Sequence, residues 1–256
     1  MSVFTSKPRI DGFGAQFQNI IFDILYTYTN TTSTTNTYVF PNITNFAHNY
    51  NNDPSFNQTL IDYMNLKPYF CIPSNIKYAA DISYCNPAVT YRYCETNLTT
   101  LLNSSTFKHI QHIFFENKTT PFNTAFYNVA VHVRRHNQHD DRISGTNTSD
   151  EYYLTIIRFI RRQNNHTKPL KFHIYSQGST SDFSIYTADV DDTELHINDT
   201  DVLETFSGLA FADCLITSKS SLSYTAAMLS KGVIFYQRFW HKPANHWVIG
   251  DKVPKT

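Results

Sequence analysis

FYNVAVHVRRHNQHDDR, residues 126–142, decides how the chain is read. The run Val129–Val133 is apolar apart from His132, and charge begins at once with Arg134, Arg135, His136, His139, Asp140, Asp141 and Arg142. A short apolar run that ends abruptly in charge predicts a buried strand emerging at its carboxyl end. Ligands of open α/β sheets bind outside the carboxyl ends of the strands. This edge therefore predicts fixed cations, titratable imidazoles and carboxylates beside a ligand. Arginine suits an anionic one, because its planar fork meets phosphate oxygens in pairs and stays charged. The competing reading is a solvated loop with surface Arg–Asp pairs worth little.

Downstream the pattern alternates regularly. Ser149 or Asp150 predicts a helix cap, with Tyr153, Ile156, Ile157 and Ile160 facing inward as far as about Arg162. KFHIYS (Lys171–Ser176) reads as a strand, and Leu195–Ile197 as a short one. Thr200 or Asp201 caps a helix to about Ala212, Cys214–Thr217 is a strand, Ser218–Ser221 leads into a helix ended by Gly232, and Val233–Tyr236 is a strand again. Strands alternating with helices predict right-handed βαβ units and a parallel sheet. Within DCLITSKSSLSY (213–224), hydroxyls at a strand end and helix start make a phosphate cradle with the free helix N–H groups, or one serine is simply the N-cap. No flanking glycines make a G-x-S-x-G nucleophile.

The amino-terminal half is less regular. In IDGFGAQFQNIIFDILYTYT (10–29), Gly12 and Gly14 predict a tight turn that opens a helix carrying Phe17, Ile20, Ile21, Ile24 and Leu25. Residues 30–58 predict a long polar loop with a short strand at Thr37–Phe40, and 59–70 a helix; the structure of 71–105 stays open. Phe107, Ile110, Ile113 and Phe114 predict another helix, on which His109 and His112 lack a third metal ligand and read as ordinary histidines. The boundary falls near residue 120, giving halves 1–120 and 121–256.

The 256 residues carry a formal net charge of +0, which gives no general electrostatic attraction to nucleic acid or an acidic membrane. Any anion site is therefore local. No apolar run approaches the ~18 residues of a membrane span, and MSVFTSKPRID lacks a signal pattern, so a cytoplasmic chain is expected. Cys71, Cys85, Cys94 and Cys214 then read as free thiols, with a Cys85–Cys94 bridge as the alternative in an oxidising compartment.

Together these motifs resemble the fucosyltransferases of the α1,2/α1,6 and protein-O-fucosyl superfamily. His132-Val133-Arg134-Arg135 is similar to their H-x-R-R strand end, and His136-Asn137 to the ending of the rhizobial chitooligosaccharide members. Gly12-Phe13-Gly14-Ala15-Gln16 resembles their G-x-G-N-Q turn, and Ser218-Lys219-Ser220-Ser221-Leu222-Ser223 their S-x-S-[ST]-[FL]-S motif; the FHIYS strand is also similar. The motifs occur in the family's order and cover the first 25 residues and roughly 126–236. The resemblance implies an α/β, GT-B-like enzyme with two Rossmann-like halves facing a cleft, the amino-terminal half being reduced. It implies an inverting transfer with no essential metal or other cofactor, from a nucleotide sugar to an oligosaccharide or glycoprotein acceptor. Arg134 would contact the donor diphosphate, Ser220 and Ser221 would cradle it, and His132 would shape the donor site. Arg135, Ser176, Thr217 and Ser218 belong to the same donor edge, and Gly12, Gly14 and Gln16 to the opposite wall. Two departures stand out: Ala15 replaces the family's Asn, and the acidic residue after the arginines is displaced to Asp140 or Asp141. The family donor is GDP-fucose; a UDP-sugar such as UDP-xylose is the alternative. Lacking a Golgi anchor, the chain reads as bacterial-type or viral.

Inverting transfer needs a base for the acceptor proton, and the candidates are His136, His139, Asp140 and Asp141. Negative charge grows on the leaving diphosphate. Arg134 and a helix N-terminus can meet it; the D-x-D run Asp189-Val190-Asp191 is the metal-binding alternative, read here as a solvated loop. A non-catalytic carbohydrate- or nucleotide-binding protein of the same fold is the rival. A dinucleotide enzyme is disfavoured because the third glycine of G-x-G-x-x-G is missing (position 17 is Phe).

Overall fold

The computed structural model describes residues 2–30, 36–49, 51–72, 82–135, 148–163, 166–188, 192–197 and 201–254. The chain is mixed α/β with parallel sheets, and it divides into two compact units, Met1–Thr119 and Thr120–Thr256.

In the first unit Val3–Thr5 (β1) lies between Thr37–Tyr38 (β2) and Ile82–Tyr84 (β3), parallel to both. These strands have two or three residues each, too short for periodicity to reveal. Phe13–Thr29 (α1) is followed by Phe56–Met64 (α2), Pro87–Thr96 (α3), Leu98–Leu102 (α4) and Ser105–Phe115 (α5). α1 packs against α3, α5 and β2, so it is buried nearly all round, polar residues included. The predicted glycine turn is corrected. Gly12 is the extended N-cap of α1 and Gly14 already lies inside the helix. A Cβ on Gly12 would come within 3.0 Å of the His48 imidazole, so close approach is what glycine permits there. The helix predicted over 59–70 runs instead through α2 and a short 3-10 turn at Lys67–Tyr69. His109 and His112 lie on the exposed side of α5, while Phe107, Ile110, Ile113 and Phe114 face inward.

One buried carboxyl in α1 carries a measurable consequence. Asp23 is fully buried and accepts a 3.0 Å hydrogen bond from Asn19 Nδ2. Burial raises its pKa to about 6, against the opposing pull of hydrogen bonds from Ser6, Thr90 and Asn19. The folded state thus holds a proton that the unfolded chain has released, and stability falls as pH rises from about 4 through about 6. Asp23→Asn removes this cost. The variant is expected to gain on the order of 2–3 kcal/mol near pH 8 and little near pH 4, read from denaturant midpoints. An equal effect at both pH values would sink the assignment.

The second unit carries Tyr127–His132 (β4), Asp150–Arg162 (α6), Leu170–Ser176 (β5), Ser184–Thr187 (α7), Thr193–Ile197 (β6), Val202–Phe211 (α8), Cys214–Ile216 (β7), Ser221–Leu229 (α9), Val233–Tyr236 (β8) and Val248–Ile249 (β9). All six strands are parallel, in the order β6-β5-β4-β7-β8-β9. The predicted strands and helices are present within a residue or two, and α7 and β9 are additions to them. Val129, Val131, Phe172, Ile174, Cys214 and Ile216 form the core with the inner side of α6. Asp201, one of the two predicted candidates, caps α8 by accepting from Leu203 N at 2.8 Å. On the other face Gly208 of α8 lies so close to Tyr175 that a Cβ would sit 2.1 Å from its hydroxyl. All four cysteines are free thiols. Among the described residues no helix is long and apolar enough to cross a membrane.

Candidate functional site

The strand order contains a reversal. From β4 the chain builds outward through β5 to β6, then returns to the other side of β4 and builds through β7, β8 and β9. Connections leave β4 and β7 in opposite directions, and the crevice outside their carboxyl ends is the expected ligand site. His132 ends β4, and Thr217-Ser218 follow β7 directly.

Side chains tie the two exits together. Ser218 Oγ lies 2.8 Å from His132 Nδ1, and Arg134 Nη1 donates to Lys219 O at 3.1 Å. Burial, with the Arg134 charge second, pushes the His132 pKa down to about 3, so the imidazole is neutral at ordinary pH and adds no charge to the pair. Ser223 reaches back from the first turn of α9: its Oγ accepts from Ser218 N at 3.2 Å. Ser220 is the N-cap, its Oγ accepting from Leu222 N at 3.2 Å, and Ser221 opens the helix. The positive end of α9 and its first-turn N–H groups therefore stand at the switch point beside Arg134 and Lys219. This can hold an anion.

The other predicted donor residues have specific partners. Thr217 Oγ1 accepts from Gln237 N at 3.0 Å, and Gln237 Oε1 accepts from Thr148 Oγ1 at 2.8 Å. Ser176 Oγ donates to Val133 O at 2.6 Å, locking the end of β5 to the exit of β4. Arg135 turns away from its neighbour: it donates to Thr148 O at 3.2 Å, pairs with Asp150, and lies over the Phe183 ring. Asp150 also accepts from Tyr186 Oη at 2.6 Å. Arg135 therefore anchors the start of α6 in this structure. Ser223 and Lys219 gain roles that the sequence reading left unassigned; their signal was the repeated serine spacing around Lys219.

Gly12, Gly14 and Gln16 belong to the first unit. The Gln16 amide donates to Asp11 O and Asn45 O, both at 2.9 Å, so it staples two loops at the start of α1. Beside it runs a cleft lined by Ser6, Arg9, Gln16, Asn19, Pro41 and Thr44. The base candidates His136, His139, Asp140 and Asp141, and the Asp189 and Asp191 pair, lie outside the described residues. Asp192, which follows that run, pairs with Arg161 Nη2 at 2.7 Å.

No family model and no curated protein matches the chain. Among solved structures, it is similar to NodZ alpha-1,6-fucosyltransferase soaked with GDP-fucose, at 12% identity over 92% of this chain and 95% of that one, TM-score 0.45. Fucosyltransferase NodZ from Bradyrhizobium shares 13% identity over 90% and 94%, TM-score 0.43. The E. coli ADP-heptose lps heptosyltransferase II shares 11% over 92% and 85%, TM-score 0.39. Likenesses this distant decide neither fold nor chemistry.

Proposed function

We propose that the chain is a glycosyltransferase whose 120–256 unit binds a nucleotide sugar by its diphosphate. The observation that carries this is the pair of bridges across the switch point, His132 to Ser218 and Arg134 to Lys219 O, with α9 opening beside them. Those bridges bring a guanidinium, hydroxyls and a helix N-terminus to one edge, a set matched to phosphate oxygens. The motif resemblance makes GDP-fucose the first donor to test. The cleft in the first unit beside Gln16 is the candidate acceptor site.

In this mechanism the bond from the anomeric carbon to the donor phosphate oxygen breaks, and the diphosphate leaves with the electron pair. Arg134 and the α9 amides stabilise that growing charge in the transition state, without a metal ion. The acceptor oxygen attacks the opposite face of the sugar, and its proton passes to one of His136, His139, Asp140 or Asp141. Neutral His132 orients Ser218 and stays out of proton transfer.

Calorimetric titration with GDP and with UDP, each in EDTA and in Mn²⁺, tests the reading. GDP binding unchanged by EDTA is the expected result. UDP binding in place of GDP moves the donor to a UDP-sugar. Binding only with Mn²⁺ transfers the charge-neutralising role to Asp189 and Asp191, and no binding of either nucleotide overturns the proposal.

A further inference from the structure

A second constellation lies on the α8 side of the same sheet, where the sequence reading proposed nothing. His173 of β5 stands in register with Glu194 of β6, and Tyr175 with His196. Successive odd positions of β5 and even positions of β6 therefore share one face. His173, Glu194 and His196 bring ligand atoms within 4.8 Å of one another, the one such group of His, Cys, Asp and Glu among the described residues.

The geometry is prepared for a cation at two of the three ligands. Asn128 Nδ2 donates to Asn123 O and Phe126 O, both at 3.1 Å, which fixes the amide so that its oxygen faces His173. That oxygen lies 3.0 Å from His173 Nε2 and only accepts, so Nε2 carries the proton and Nδ1 presents a lone pair. A ligating histidine held through its other nitrogen in this way is the common second-layer arrangement of metal sites. His196 is held flat against Tyr175, with ring centroids 4.4 Å apart and planes 11° apart. Its Nε2 lies 3.2 Å from His173 Nδ1. Two imidazole nitrogens bound to one tetrahedral zinc, each at about 2.0–2.1 Å, are separated by roughly 3.3–3.4 Å. Glu194 is exposed, and a small shift closes the remaining gap: its oxygens stand 3.9 Å from His173 Nδ1 and 3.8 Å from His196 Nε2.

We infer that His173, Glu194 and His196 form a site for a divalent transition metal of the zinc class, which pins the outermost strand β6 to β5. Two imidazoles and one carboxylate suit zinc, with a water completing the four-coordinate shell. On binding, His196 shifts its proton to Nδ1, and Lys171, whose Nζ lies 4.0 Å from Glu194, moves off the carboxylate. The ion sits at a sheet edge and serves strand docking. Nucleotide binding in EDTA and metal loading are separate measurements, so this inference and the donor reading can fail independently.

The test uses the full chain, stripped with chelator and desalted, then titrated with Co²⁺ under a visible spectrum and with Zn²⁺ in competition. One equivalent with intense visible bands of low-coordinate Co²⁺, displaced by Zn²⁺, is expected. His196→Ala should weaken binding by at least the ~10–100-fold that loss of an outer-layer partner costs, and Glu194→Gln by about tenfold. His112→Ala, on the exposed side of α5, should bind as the unaltered chain does. Absence of a one-to-one complex overturns the inference. So does unchanged affinity in His196→Ala, which would place the ion on other histidines.

Discussion

Transfer by Arg134→Ala is expected to fall by about 10²–10³ in kcat, the usual cost of losing one donor aimed at developing negative charge. Its stability should move by about 1 kcal/mol, the usual net worth of a part-buried hydrogen bond such as the one to Lys219 O. The neighbouring residue supplies the control. Arg135 is spent on Thr148 O, Asp150 and the Phe183 ring, so Arg135→Ala removes all three contacts, leaves Asp150 its bond from Tyr186 Oη, and is expected to cost roughly 1–3 kcal/mol of stability. Two adjacent arginines thus separate into one whose loss shows in turnover and one whose loss shows in unfolding. Arg134→Lys should recover part of the activity, since it restores charge without the two-pronged geometry. Near-normal turnover in Arg134→Ala, with GDP binding unchanged, would remove the diphosphate from this edge.

The same pair illustrates what the sequence disclosed. The end of β4 was legible because an apolar run stops where charge begins, and the start of α9 because hydroxyls follow a strand. That Arg134 and Arg135 diverge was not legible. Adjacent residues at a strand exit point to opposite sides, and their partners, Lys219 and Asp150, are brought there by different crossovers. The metal constellation was hidden for a related reason. His173 and Glu194 face each other only because the stretch between β5 and β6 sets a register that no local pattern announces. In the first unit, β1 and β3 have three residues each, and their pairing depends on contacts remote in sequence. By contrast, the Tyr153, Ile156, Ile157 and Ile160 spacing of α6 announced both helix and buried side, since one amphipathic helix encodes its own orientation.

The largest loss of stability is expected from Phe172→Ala in the centre of β5. The ring is fully buried against the α6 side of the sheet, in register with Val129 on β4 and Thr193 on β6. It also carries the Arg161 guanidinium, 4.8 Å from its centroid, and Arg161 in turn holds Asp192 at 2.7 Å just ahead of β6. Truncation removes the buried area and leaves a cavity in a region of regular strands that cannot collapse into it, at about 3–5 kcal/mol. That is a large share of the ~5–15 kcal/mol a domain usually has. It should also loosen the outer edge, because the Arg161–Asp192 pair loses its platform while Phe172 N still donates to Asp192 O at 2.7 Å. Phe172→Leu, nearer in volume, should lose less than Phe172→Ala, and adding Arg161→Ala to Phe172→Ala should cost less than the sum of the single changes. Denaturant midpoints of the unaltered chain and these four variants decide this. A loss near 1 kcal/mol in Phe172→Ala with an unchanged denaturant slope, or strict additivity with Arg161→Ala, would mean that the ring neither fills the core nor supports the arginine.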